Sequence, residues 1–245
     1  MLARLEHGIT IRRTLLLAGG ALVLGACADG TATAPQADVD ALARSTRGEQ
    51  MALKEGALYV AELHPLNAWV QQSLDPDPRS GTVVSGKAYF RVHDGMLHAV
   101  VDVRGAEPAE GAGALDGLHP QHIHAADRCP SASADANGDR IVDVIEGVPF
   151  YGPILVSLDQ DLANLAFETS FPVATGRQGS YEYRASTSLA TLEDAIAERL
   201  DLPRRHVVVH GVDAATPLPA TVQSLGGLPA TLTLPVACGE IREVR

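Results

Sequence analysis

Two short stretches of this sequence place histidines at strand spacing. His119-Pro120-Gln121-His122-Ile123-His124 sets His122 and His124 two residues apart. In an extended strand alternate side chains share one face. Two imidazoles can then aim at one point while Ile123 turns to a core. Arg205-His206-Val207-Val208-Val209-His210 repeats the pattern, with His206 and His210 on one face of a strand whose valine run predicts burial. Neutral imidazole suits zinc, copper, iron or nickel. Either cluster alone also fits ordinary polar or satisfied strand residues. Two clusters in one chain favour a shared site of His122, His124 and His210 with an open position, the arrangement of catalytic rather than closed structural sites. His206 is the nearby candidate for a further ligand. His119 is less well phased.

A third stretch carries hard oxygen donors. Asp135, Asn137, Asp139, the Ile141 carbonyl, Asp143 and Glu146 occupy positions 1, 3, 5, 7, 9 and 12 of an EF-hand type calcium loop. Arg140 stands at position 6, where glycine normally makes the sharp turn. The flanks read as non-helical, so the expectation is a calcium loop without its helix pair. The alternative is a solvated acidic turn.

The elements that must hold these groups read mostly as strands. Candidates are 57–63, 82–92, 96–103, 118–124, 154–158, 166–173, 207–210 and 231–241, rich in β-branched and aromatic residues. His93-Asp94-Gly95 separates two of them, and Asp-Gly is a strong hairpin signal. Val84, Gly86, Ala88 and Phe90 alternate with Lys87 and Arg91, as a half-buried antiparallel strand requires. One helix is expected over 187–200, where Leu189, Leu192, Ile196 and Leu200 recur at helical spacing. Many strands and one helix imply a β-sandwich or barrel with loop insertions.

The first residues read as an address. Arg12 and Arg13 precede the apolar run 14–26, which is too short for a comfortable membrane span. Leu24-Gly25-Ala26-Cys27 resembles a bacterial lipobox. The expected organisation is a signal peptide over 1–26, a lipidated Cys27 opening a small, polar tether over 27–48, and one β-domain over 49–245. An ordinary secretory signal with a chance cysteine is the alternative. The Arg pair is also compatible with twin-arginine export. The chain would be exported and anchored on the periplasmic or surface side of a bacterial membrane. Cys129 and Cys238 then remain as an even pair in an oxidising place. A bridge would close a loop of about 110 residues; free thiols, or a buried Cys238, remain the alternatives.

Charge excludes one class of partner. The 245 residues carry a formal net charge of −11. Removing Arg4, Arg12, Arg13 and Glu6 with residues 1–26 takes it to −13. Nucleic acid requires a basic surface, so it is not an expected partner. Metal ions are.

At this point the motifs resemble the copper/zinc superoxide dismutase superfamily. GTVVSGKAYFRVHDGMLHAVVDVRG is similar to its opening hairpin. HPQHIHAADRC resembles its GFHxHxxxxC segment, HVVVHG its VVVH segment, and LPVACGEI its closing LACGVI. The resemblance covers roughly residues 80–130 and 204–241. It implies an all-β fold, a flattened Greek-key barrel or sandwich, with copper on His122, His124 and His210 and a disulfide between Cys129 and Cys238. It also implies superoxide as a substrate. Two departures stand against that activity. No histidine lies between Ala125 and Arg205, where the bridging histidine and zinc cluster of the family would fall, so zinc of the usual kind is not expected. Leu232-Thr233-Leu234-Pro235 lacks the family's anion-guiding arginine. The acidic loop takes the place of the zinc loop, which suggests calcium as its ordering ion. The alternative is a non-catalytic copper- and calcium-binding domain, or a chordin-type (CHRD) domain, although no GxNGP-like element follows His124.

Overall fold

A computed structural model describes residues 52–73, 83–109, 115, 117–166, 170–176 and 179–244. The expected signal peptide, Cys27 and the tether lie outside the described residues. Eight antiparallel strands dominate: β1 (Leu58–Pro65), β2 (Ser85–His93), β3 (Met96–Arg104), β4 (Gln121–His124), β5 (Ile154–Ser157), β6 (Ser180–Ser188), β7 (His206–His210) and β8 (Pro235–Val244). They form one sheet in the order β5-β4-β7-β8-β1-β2-β3-β6. The fold is therefore all-β, a sheet curled into a half-barrel.

The curl follows from where the apolar residues go. Along β2, Ala88, Phe90 and Val92 are buried while Lys87, Arg91 and His93 face water. Their core partners come from both ends of the strand order: Val101 on β3, Ile123 on β4, Val156 on β5 and Val207 on β7 share one cluster with Phe90. A flat sheet could not bring these onto one core. Burying a side chain such as Phe90 contributes about 1.5–3 kcal/mol relative to exposure. The two ends also meet through polar groups. The Tyr181 hydroxyl on β6 donates to Gln121 Oε1 on β4 at 3.2 Å. Tyr183 donates to the Asp159 carbonyl at 2.5 Å.

Several elements differ from the sequence reading. β6 is a full strand in which only Tyr181 and Tyr183 are buried; its polar composition hid the period of two. The helix expected over 187–200 is shorter, because β6 runs through Ser188. Three other short helices accompany it, so in chain order the helices are α1 (Ala68–Ser73), α2 (Val144–Tyr151), α3 (Leu189–Ile196) and α4 (Ala230–Thr233). α3 starts where the Ser188 hydroxyl accepts from the Thr191 amide, and it stops at Ala197 with φ 54°. The segment expected as a strand over 166–173 pairs only through a single bridge, Leu118 to Val173, among the described residues. The span 231–241 divides into α4 and β8, with Leu234 as the break.

The flank after the acidic loop is helical, which corrects the expectation of a non-helical one. Asp143 is the N-cap of α2: its Oδ1 accepts from the Ile145 and Glu146 amides at 2.8 and 3.0 Å, and Glu146 Oε2 accepts from the Asp143 amide at 3.2 Å. This reciprocal capping box is the local reason that α2 begins there.

Candidate metal centre

β4 and β7 pair antiparallel, and this pairing assembles the histidines. In register, His122 lies opposite Val208 and His124 opposite His206. Ile123 turns the other way into the core. His210 stands at the end of β7, just after the register against β8 slips between Val209 and His210. Such a bulge re-aims the side chain it carries. Ring nitrogens of His122, His124 and His210 lie within 4.8 Å of one another, and all three residues are buried. Their ring centroids are separated by 5.7, 5.4 and 5.9 Å for the pairs 122–124, 122–210 and 124–210.

Backbone carbonyls orient two of the rings. His124 Nδ1 donates to the Gly152 carbonyl at 2.9 Å, and His210 Nδ1 donates to the Thr233 carbonyl at 2.8 Å. The tautomers are assigned from these partners, since a carbonyl can only accept. Each bond leaves an Nε2 lone pair free, and both Nε2 atoms are buried without a hydrogen bond, as are both nitrogens of His122. Buried polar atoms are normally satisfied. Orphaned, converging imidazole nitrogens with carbonyl-anchored opposite edges are the donor pattern of a metal site. Burial holds His122 and His124 well below the ordinary histidine range, and neighbouring histidines push in the same direction. Burial lowers His210 to about 4 against the pull of its Thr233 bond. The rings are thus neutral near pH 7, the form that ligates.

His206 is fully buried and stacks on His124 with centroids 6.0 Å apart and planes within 10°. Its nitrogens are outside the converging set of three. Burial lowers it to about 4, opposed by the nearby Ala126 carbonyl and Asp127 carboxylate. His119 has a different role: its ring nitrogens contact the Glu107 and His210 carbonyls at 2.8 and 3.2 Å, and so tie strand ends together. His64 lies on β1 opposite Cys238, on the exposed side.

Two aromatic residues wall the centre. Phe171 meets the His122 ring nearly edge-on, 5.3 Å between centroids and 79° between planes. Tyr151 lies 4.6 Å from the His124 ring, with its hydroxyl turned away to donate to the Val144 carbonyl at 2.9 Å. Gly147 makes room for that ring: a Cβ there would fall 2.3 Å from Tyr151 Cε1. The sequence reading missed both aromatics and the two carbonyl anchors. A carbonyl carries no residue-type signal, and a lone Phe or Tyr reads as core.

Cys129 and Cys238 form a disulfide with Cα atoms 5.9 Å apart. It joins the loop after β4 to β8, beside Val208 and Tyr151. The acidic loop is closed by its own amides. Asp135 accepts from Gly138 and Arg140, Asn137 from Asp139, and Asp139 from Ile141. Glu146 Oε1 accepts from Ala136 and Asn137 at 2.8 and 3.1 Å. Arg140 adopts φ 73°, which meets the turn requirement that glycine usually serves, and its guanidinium covers the Trp69 ring at 4.9 Å. The carboxylates of this loop do not form a converging metal set of three among the described residues. Glu55, His93 and Asp94 do converge at the exposed β2–β3 turn, with His93 between the two carboxylates at 3.3 and 3.5 Å.

Comparison with protein-family models and with curated proteins returns no match for this sequence.

Proposed function

We propose that this chain is an exported, lipid-anchored copper protein of the superoxide dismutase-like kind, with copper held by His122, His124 and His210. One observation carries the reading: three buried imidazoles converge within 4.8 Å while two of them are anchored through Nδ1 to carbonyls. Three imidazoles with an open position also suit catalytic zinc. Copper is preferred because the HPQHIHAADRC and HVVVHG motifs resemble the copper-ligand segments of the copper/zinc superoxide dismutase superfamily. The order of the His, Cys and Gly motifs, and the half-barrel with the Cys129–Cys238 bridge, support a Greek-key barrel of that superfamily. Bound copper would supply a one-electron couple. The chain's own contribution is to hold neutral imidazoles, fix their tautomers and exclude water.

A non-catalytic copper-binding role has specific support of its own. The three candidate ligands are each under 5% exposed, Leu232–Pro235 brings no arginine, and a charge of −13 once residues 1–26 are removed opposes an approaching anion. Calcium on the acidic loop belongs to either reading. Copper content and superoxide turnover, measured beside His124→Ala, decide between them. Turnover that vanishes with His124→Ala supports the enzyme. Stoichiometric copper without turnover supports the binding role. No copper under reducing or oxidising conditions overturns both. Cys27→Ser should release the protein from membranes; an unmodified wild-type Cys27 overturns the anchor.

A further inference from the structure

The candidate centre has three converging protein donors, and among the described residues its surroundings are largely apolar. Phe171 is 4% exposed and packs with Leu118 and Leu232, with Leu228 against them, so an apolar cluster backs the His122 side. On the His124 side stands Tyr151, whose hydroxyl is spent on Val144. His206 is the one further imidazole on this face among the described residues, and it lies against the far ring of His124 rather than in the converging set. Among the described residues no fourth ligand joins the set, which leaves water as the candidate. An ordered water needs two to four polar partners, and a Phe ring offers none.

We propose that Phe171 is the metal-selectivity determinant of this centre: its ring keeps the three-histidine set dry and three-coordinate, which favours Cu(I) over Zn(II) and Cu(II). The inference rests on the three-histidine reading above. Zn(II) in structural sites is almost always four-coordinate and tetrahedral. Cu(II) prefers tetragonal sets of nitrogen and oxygen donors. Both need a further donor, and the apolar ring packed on His122 at 5.3 Å offers a water there no hydrogen-bond partner. Cu(I) takes soft or imidazole donors at low coordination and loses least. Phe171 acts here without touching a reacting atom. It is a specificity residue, not a catalytic one.

The test uses the whole protein loaded with Cu(I) under ascorbate, with Zn(II) added as competitor. Retained copper and zinc are counted, and the copper midpoint potential is measured. Wild-type protein should keep copper. Phe171→Ala, which opens space for water, should move the Cu(I)-to-Zn(II) preference at least tenfold toward zinc. It should also stabilise Cu(II) by at least a further tenfold, which for one electron is a potential lower by about 59 mV. The spin-resonance spectrum of its oxidised form should gain an exchangeable water ligand. Phe171→Leu, still apolar, should retain wild-type values. If Phe171→Ala does not fold, Phe171→His carries the same test by offering a fourth donor and should shift toward zinc where Phe171→Leu does not. Variants with the wild-type preference and potential overturn the proposal while leaving the copper site intact. Copper uptake that is indifferent to His124→Ala and His210→Ala overturns the three-histidine reading itself.

Discussion

His124 and Gly152 are 28 residues apart in sequence, yet one hydrogen bond of 2.9 Å from the ring Nδ1 to the glycine carbonyl sets the tautomer of a candidate ligand. Gly152 holds that carbonyl in place with φ 72°, and a Cβ there would sit 2.9 Å from the Ala126 amide nitrogen.

Gly152→Ala should therefore damage the centre without touching a ligand. Gly152 combines φ 72° with ψ −172°, a region essentially confined to glycine where a side chain costs about 1–3 kcal/mol, and the contact at Ala126 adds to it. Loss of an outer-shell partner typically weakens metal binding about 10–100-fold. Gly56→Ala is the control, with φ 75° and open space around it. A copper titration in which both variants match wild type would show that the carbonyl anchor is dispensable.

The metal-free protein should lose stability on acidification. His206 and His210 are held down to about 4, and His122 and His124 also well below 6.5, all chiefly by burial. In the unfolded chain they titrate near 6.5. As pH falls from about 6.5 to about 4 the unfolded state takes up protons that the folded state refuses. Stability is full above that window and drops within it, by at most about 1.4 kcal/mol per pH unit for each ring. Urea midpoints between pH 7.5 and 4.5 measure this, and His206→Gln should flatten the slope by one proton. A midpoint independent of pH is incompatible with buried neutral rings.

Reduction of Cys129–Cys238 should be costly. The bridge spans a sequence separation of 109, and loop-closure entropy assigns about 4–5 kcal/mol to a loop of that length. Guanidinium unfolding of Cys238→Ser against wild type, with and without reductant, reads the difference. The reductant should affect wild type only.

Calcium should raise the melting temperature in a concentration-dependent way, growing with the logarithm of free calcium above its Kd, because it binds the folded loop preferentially. Glu146→Gln tests two roles that are separable. With chelator present, its lower melt reports the lost charge at the α2 capping box. The calcium-induced increment reports the ligand, and it should shrink strongly in the variant. No increment for wild type at roughly millimolar calcium rejects a useful site.

Legibility in the sequence followed physical type. β2 and β3 were readable because buried and exposed residues alternate strictly, and the His122/His124 pair because a strand's period fixes a face. α2 was not, because Asp143 and Glu146 serve a capping box with the same residue types and spacing that a calcium loop demands. β6 was not, because two tyrosines among polar residues give a weak periodic signal. The carbonyls of Gly152 and Thr233 lie wholly outside what residue identity can encode.

The placement of the ligands on β4 and β7 also has a consequence in time. As the chain is made, His122 and His124 exist long before His210, and until β7 docks they form only a two-nitrogen fragment of the centre. Gly152 arrives in between, and Thr233 last of all. If His122, His124 and His210 are the ligands, complete capture of a metal has to wait for β7 to dock, so it would report folding rather than nucleate it, and a chain truncated before β7 would carry a half-built chelate with no third arm.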